Sequence, residues 1–257
     1  MIVTTANRTS PELQRLSQDL ADEMGLRWVP RQNLSLKQLE EKYGDSQFLL
    51  ITDNGLRYNE AGREPLDYHP SMAVIRIKRL LKGETDKLIE LAEAGPGDRV
   101  LDCTAGFGAD AIIFSHAVGA SGKVTALESE LIPYLLVREG LSRYQSDVKE
   151  LDEAMRRIEV LLTDHLSYLR LLPDRSVDIV YFDPMFGKPV QSSSSMSPLR
   201  GVANRQPLAR KAVEEAVRVA RRKVLLKEHR DSRVFAELGF DRVVRTGSTT
   251  AYGVMDL

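Results

Sequence analysis

The chain has 257 residues, 42% of them apolar and 28% charged. That is the composition of an ordinary globular protein, long enough for one large α/β domain with an appendage. A net charge of −1 argues against a generic nucleic-acid binder, no run reaches the ~18 apolar residues of a membrane span, and the single cysteine, Cys103, excludes an internal disulfide or a multi-cysteine metal or iron–sulfur site.

The first residues, "MIVTTANRTSPELQ", lack a basic stretch leading into an apolar core, so no secretion signal is expected. With one cysteine, this points to a reducing, cytoplasmic setting. "MIVTT" reads as a strand. "SPELQRLSQDLADEMG" reads as a helix with Ser10 as N-cap, Pro11 at its first position and Gly25 beyond its end. "LRWVPR" suits a short strand, and "SLKQLEEKYG" a helix between Ser35 and Gly44. "QFLLIT-DNG-LRYNE" is a hairpin with an Asn-Gly turn. After "PLDYHPS" the apolar spacing Val74, Ile77, Leu80, Leu81 predicts a helix. His69 in this stretch suits capping or packing better than catalysis.

From Asp86 the pattern alternates. "DKLIELAEAG" is a helix, "RVLDCTAGFGAD" a strand running into a glycine loop, and "AIIFSHAVGA" a helix. "KVTALES" is a strand, "ELIPYLLVREGLSRY" a helix, and "IEVLLTDHLSYL" a strand followed by a loop. "VDIVYFDP" is a strand, "PLARKAVEEAVRVA" a helix, "RKVLLKEHR" a strand and "SRVFAELG" a helix. "FDRVVRTGSTTAYGVMDL" reads as two closing strands. Such alternation predicts an α/β, doubly wound, mostly parallel sheet over residues 68–257, behind a small α+β unit over residues 1–67. In such sheets the site lies beyond the carboxyl ends of the strands.

Each of four successive strands ends on an acid. The first gives Asp102, then Gly106, Gly108 and Asp110, where glycines let the backbone turn tightly beside a ligand as the next helix begins. The spacing is not that of a dinucleotide fingerprint, and no Lys-Ser/Thr of a phosphate loop follows. An acid ahead of the glycines suits a ligand with a positive group. The second strand gives Glu128 and Ser129, about twenty residues beyond the glycine loop, where a ribose diol is gripped in nucleotide-type folds. The third gives Asp164 and His165, where an acid can accept from an adenine amine. The fourth gives Asp183 in "FDPMF". One such acid is most often a cap. Four in order describe a pocket for a cationic nucleoside with an amino-acid tail, namely S-adenosylmethionine. The four histidines form neither an HxH nor an HxxxH pair, so no metal is expected.

The run "VLDCTAGFGAD", "ALES", "LLTDH", "VDIVYFDPMF" resembles the class I S-adenosylmethionine-dependent methyltransferases. More narrowly, the glycine loop and "DPMF" are similar to the RsmJ family of ribosomal small-subunit RNA (guanine-N2)-methyltransferases. The resemblance is clear over residues 95–190, weaker over 205–257, and slight over 1–60. Gly187 stands where that family usually continues with proline, Ala109 where it often has a basic residue, and the run Ser192–Ser195 is unfamiliar. The resemblance implies a cofactor set of Asp102, Ala105, Gly106, Gly108, Ala109, Asp110, Glu128, Ser129, Asp164, His165 and Asp183. It implies catalytic roles for Asp183, Pro184, Met185 and Phe186, with ribosomal small-subunit RNA as partner.

An exocyclic amine is a poor nucleophile because its lone pair is delocalised into the base. The Asp183 carboxylate and the backbone carbonyl that follows it can accept from the two amine hydrogens, aiming the lone pair at the methyl. Pro184 fixes the backbone, and Phe186 can stack on the base. Cys103 reads as a small packing residue. Charge is uneven along the chain: residues 188–233 hold twelve Lys/Arg against four Asp/Glu. Lys188, Arg200, Arg205, Arg210, Lys211 and Lys227 are therefore read as a phosphate-gripping rim, whereas Arg218, Arg221 and Arg222 suit a solvated helix face. Methylation of another base or a small amine, and a non-catalytic cofactor-binding RNA module, are the competing readings. A nicotinamide oxidoreductase is disfavoured by the glycine spacing.

Overall fold

The computed structural model describes residues 1–7, 9–185, 201–244 and 249–257, so the serine run lies outside the described residues. The chain first builds a five-stranded sheet from β1 (Ile2–Thr5), β2 (Arg27–Trp28), β3 (Gln47–Thr52), β4 (Gly55–Glu60) and β5 (Leu66–Asp67), in the order β2-β1-β3-β4-β5. Helices α1 (Pro11–Met24) and α2 (Leu36–Tyr43) connect its strands. Both begin and end where the sequence signals. Ser10 accepts from the Leu13 N–H and Ser35 forms a capping box with Gln38; Gly25 and Gly44 take left-handed conformations that other residues resist. The Asn54-Gly55 turn closes the antiparallel β3–β4 pair, with Thr52 opposite Gly55.

The second sheet has seven strands: β6 (Arg99–Asp102), β7 (Lys123–Glu128), β8 (Ile158–Leu162), β9 (Val177–Phe182), β10 (Ala220–His229), β11 (Asp241–Val244) and β12 (Thr250–Asp256). Their order is β11-β12-β10-β9-β6-β7-β8. The five strands β6 to β10 run parallel, and β12 pairs antiparallel with both β10 and β11. Ile179, Val180, Tyr181, Phe182, Val224, Leu225 and Leu226 are fully buried, as strands covered on both faces require. The covering helices are α3 (Met72–Leu81), α4 (Lys87–Ala92), α5 (Ala109–Val118), α6 (Leu131–Arg143), α7 (Lys149–Arg156), α8 (His165–Leu171), α9 (Arg210–Val219) and α10 (Val234–Leu238). This is the doubly wound architecture that the alternation predicts. From β6 the chain winds outward to β7 and β8, then returns on the other side at β9. The β6–β9 junction is the switch point where such sheets open a crevice.

Two helices depart from the sequence reading. No element is assigned from the pattern to residues 146–157, yet α7 forms there and buries Leu151, Ala154 and Met155. Its preceding residue, Val148, offers no side-chain cap, and the turn is held instead by Ser146 against Asp152. The expected loop after β8 is helix α8, whose N-cap is Asp164.

The two sheets share a core. Val3, Leu49, Leu56 and Tyr58 of the first pack with Phe107 from the loop after β6 and with Tyr134, Leu135 and Leu136 of α6, which covers the second. Directly after β5, Tyr68 lies on Gly140 of α6, where a Cβ would come 2.0 Å from the ring. The same ring meets Phe107 and Tyr144 edge-on, with centroids 6.1 and 5.9 Å away. Glycine at 140 is therefore what lets the connector lie flat on α6. Gly140→Ala should displace Tyr68 and destabilise the fold by about 1–3 kcal/mol, the usual cost of overpacking. Urea unfolding checks this, and wild-type stability in the variant would show that the ring can move without loss.

Candidate active site

Strand β6 delivers Asp102 to the switch point, and the loop from Cys103 to Gly108 follows. Gly106 and Gly108 have φ of 50° and 74°, the left-handed region that favours glycine. A Cβ on Gly108 would reach 3.2 Å from a Val137 methyl; one on Gly106 would meet no protein atom within 4 Å. Gly106 thus forms the open floor of a cavity of about 180 Å³. Its walls include Cys103, Thr104, Glu128, Ser129, Asp164, His165, Asp183, Pro184 and Met185, and the stretch from Ala203 to Ala209 closes one side. Residues from the carboxyl ends of four neighbouring parallel strands meet there.

The acids fall into two electrostatic kinds. Asp102 is 1% exposed and accepts from the Thr104 N–H at 3.0 Å. Burial pushes it up to about 8, with Asp110 and Asp183 adding to the rise. Burial also raises Glu128, against the backbone N–H groups of Glu130, Ser129 and Gly106 that favour its anion. Asp183 donates its N–H to Thr104 Oγ1 at 2.6 Å and accepts from Lys227 Nζ at Oδ2 at 2.7 Å. Burial carries it up to about 6 despite the ammonium. Partial burial would raise Asp164, but the N–H of Ser167 at 2.9 Å, the Ser167 hydroxyl, His165 and the Leu166 N–H together hold it below the usual range. His165 is lowered by burial and meets Phe182 edge-on.

Asp110 differs from the sequence reading. It is absent from the cavity wall and sits in a buried ion network. Arg76, the Tyr181 hydroxyl at 2.8 Å and Lys227 Nζ at 2.9 Å all donate to it, and Arg76 also forks onto Asp86 at 2.7 and 2.9 Å. Burial alone would raise Asp110, but Lys227 and Arg76 overrule it and hold it ionised. Lys227 is likewise corrected: it points inward to bridge Asp110 and Asp183 rather than outward to a phosphate. Arg210 is exposed, and its guanidinium donates to the Glu237 carbonyl near the end of α10. Arg205 and Lys211 are exposed on the segment entering α9, while Phe186, Lys188 and Arg200 lie outside the described residues. Ala105 is buried in the glycine loop and Ala109 opens α5. Ser129 accepts from Asn204 at 3.0 Å. Cys103 is buried, packs among Leu101, Leu127 and Phe182, and reaches the cavity wall. His69 accepts from the Ser71 N–H at 2.8 Å, a local turn contact.

Arg76, Thr104, Tyr181 and Asn204 are absent from the sequence reading. Thr104 was within reach, because it follows Asp102 inside the motif; Arg76 and Asn204 carry no local signal. A larger concavity of about 920 Å³ lies between α1, the β3–β4 turn and α6. Its arginines are already engaged: Arg138 by Glu23 and Glu139, Arg143 by Glu139, and Arg156 by the Leu141 and Tyr144 carbonyls. None of the strand-end acids lines it.

Fold and strand-end site define a class I methyltransferase. The sequence profile of the family described as "Putative SAM-dependent methyltransferase" matches residues 32–250, and the chain belongs to that family. It is 37% identical over 261 residues to "Uncharacterized protein YpiP" of Bacillus subtilis, a match covering 99% of this chain and 98% of the relative. It is 29% identical over 175 residues to "Ribosomal RNA small subunit methyltransferase J" of Cellvibrio japonicus, covering 63% of this chain and 65% of that protein. Its fold matches the crystal structure of a SAM-dependent methyltransferase from Neisseria gonorrhoeae with a TM-score of 0.61 at 16% identity, covering 100% of this chain and 96% of that one. The family implies S-adenosylmethionine as cofactor. The cavity fits it chemically: a glycine floor open to a ligand, and buried acids short of positive charge.

The Asp110 network generates a stability prediction. Removing one member of a buried ion pair leaves its partners uncompensated, at about 3–5 kcal/mol. Asp110→Ala should lower unfolding stability by roughly that amount in urea titrations. A change under about 1 kcal/mol would mean that water replaces the carboxylate freely.

Proposed function

We propose that the protein transfers a methyl group from S-adenosylmethionine to the exocyclic N2 amine of a guanine in ribosomal small-subunit RNA, in the cytoplasm. The observation that carries this reading is Asp183-Pro184 at the end of β9, with the Asp183 carboxylate in the cavity wall beside the strand-end acids. The relative named as a ribosomal RNA small subunit methyltransferase supports the substrate class. When bound, the cofactor supplies an electrophilic methyl on a sulfonium.

The chain's own residues supply the rest. Glu128, whose buried carboxylate is fixed by loop N–H groups, would accept from the ribose hydroxyls. Asp164, held ionised at the start of α8, would accept from the adenine amine. Asp102 would face the cationic tail. Asp183 and the carbonyl after it would accept from the two hydrogens of the guanine amine, which localises the lone pair on nitrogen. The lone pair so aimed would take the methyl group that the cofactor supplies, with the thioether as leaving group, and the displaced amine proton would pass to Asp183 or water. Phe186 would stack on the base. Exposed Arg205 and Lys211, with Lys188 and Arg200, would meet phosphates. Residues 68–257 would form the catalytic domain and residues 1–67 a separate unit.

The test is direct. Purified protein and labelled S-adenosylmethionine are offered small ribosomal subunits, naked RNA, DNA or buffer, and the product is hydrolysed to nucleosides. Label in N2-methylguanosine from subunits or RNA is expected; label in another nucleoside, or in a small amine alone, would replace the substrate. Asp183→Ala should bind cofactor within a few-fold of wild type but lose about 2–4 kcal/mol of barrier lowering, as when one preorganised hydrogen-bond partner is removed. That is roughly thirty- to a thousandfold in kcat.

The position of Asp102 sets a pH dependence. Burial raises Asp102 from the ordinary carboxylate range to about 8, which favours its protonated form at neutral pH in the cofactor-free protein. A cation favours its anion, so binding below that value must release a proton. Affinity for S-adenosylmethionine should therefore rise as pH climbs toward about 8, by up to about tenfold per pH unit, and level off above it. Calorimetry in buffers of differing ionisation heat reads the released proton. Asp102→Asn should release none, and a wild type that releases none would take Asp102 out of the cofactor site.

A further inference from the structure

Lys227 lies at the wall between two cavities. Asp183, which it holds, lines the strand-end cavity, and Lys227 itself lines a second one of about 390 Å³ together with Arg76, Asp86 and Tyr252. Its ammonium is fixed from behind by Asp110 at 2.9 Å, and Asp110 is in turn fixed by Arg76 from α3 and by the Tyr181 hydroxyl from β9. In front it meets Oδ2 of Asp183 at 2.7 Å. Among the described residues no donor reaches Oδ1 of Asp183. One carboxylate oxygen is thus clamped by a cation whose own position is set by three elements, on a residue that lines the cavity.

We propose that Lys227 is a positioning residue for methyl transfer: its ammonium, anchored by Asp110, grips Oδ2 of Asp183 and so presents Oδ1 to the acceptor amine in ionised form. This rests on the reading of Asp183 as acceptor of the amine hydrogens. The groups facing Asp183 make the need for a cation plain. Asp102, Asp110, Tyr181 and Tyr252 all interact electrostatically with it, and all four are acids or weak acids. Burial and Asp110 raise Asp183 to about 6 even with the ammonium in place, and Lys227 is the one opposing charge among its main influences. Without the ammonium, two neighbouring carboxylates would share a low-dielectric space, and one would take a proton. A protonated Asp183 would rotate to donate, and geometry good to a fraction of an ångström would be lost.

The experiment compares wild type, Lys227→Met and Lys227→Arg as full-length proteins. The Asp183 carboxyl carbon is titrated by NMR without substrate, its signal assigned through Asp183→Asn, and methyl transfer is followed across pH with the substrate found for the wild type. In Lys227→Met the Asp183 titration should move to higher pH by one unit or more. Its kcat at pH 7 should fall at least tenfold, and the acid limb of its rate profile should shift the same way, while KM for S-adenosylmethionine stays within threefold. Lys227→Arg should restore most of the titration position and part of kcat. A folded Lys227→Met whose Asp183 titrates as in wild type overturns the proposal, and so does a shifted titration with unchanged kcat. If Lys227→Met does not fold, the arginine variant decides: an Asp183 titration displaced upward despite the retained cation overturns it. Should RNA prove not to be the substrate, the titration, which needs none, still decides the role of Lys227.

Discussion

A carboxylate buried among apolar strands must be answered by donors, and the architecture around the switch point follows from how Asp110 is answered. It stands in the first turn of α5, where the helix dipole favours an anion. Arg76 reaches it from α3, Tyr181 from β9 and Lys227 from β10. Each donor lies on a different element, so the relative placement of four elements is set by one side chain. An apolar cluster of equal volume would give comparable stability, but it would tolerate sliding by fractions of an ångström. A charge with three directed hydrogen bonds does not. The glycine loop before α5 and the Asp183 turn after β9 are the two segments that this constraint brings into register.

The same network divides the acids at the strand ends. Those with enough donors, Asp110 and Asp164, are held ionised. Those without, Asp102 and Glu128, are pushed toward the protonated form by burial, and Asp183 stays raised even against its Lys227 partner. Glu128 and Asp183 line the cavity, and Asp102 abuts it through Thr104. A cavity whose carboxyl groups are short of positive charge favours a ligand that brings some, and S-adenosylmethionine carries a sulfonium and an ammonium. The cofactor class implied by the family and the electrostatics of the cavity wall agree, although one comes from comparison and the other from burial.

Much of this was legible in the sequence because it is local. Helix caps at Ser10 and Ser35, the Asn54-Gly55 turn and the alternation of strands and helices are set by residues a few positions apart. The four strand-end acids were legible for the same reason. What the sequence conceals is where a long side chain ends. The cationic stretch of residues 188–233 suggests a basic face, yet many of its charges meet acids from distant segments. Arg218 pairs with Asp174 and Glu215, Arg221 with Asp178, Arg222 with Asp98, and Lys223 with Glu93 and Asp256. These pairs offset part of the asymmetry along the chain. Lys227 left the expected rim by the same route, turned into the ion network. Arg76 could not be read at all, because its partner Asp110 lies thirty-four residues away and only tertiary packing joins them.

The N-terminal sheet bears on the site through packing rather than through a residue of its own in the wall. Val202 and Ala203 pack against the core that it shares with α6, and Arg63, just beyond β4, donates to the Gly201 carbonyl at 3.2 Å. The next residues, Asn204 to Ala209, form one side of the strand-end cavity, and Asn204 reaches Ser129. The five-stranded sheet therefore supports the segment that closes the cavity, while Tyr68 against Gly140 fixes the sheet to α6. A chain lacking this unit would keep the strand-end acids, which all lie on the second sheet. It would lose the support behind Ala203 and Asn204, so the cavity wall at that side would have no fixed backing. The first sheet is in this sense part of the site's scaffold, one step removed from its chemistry.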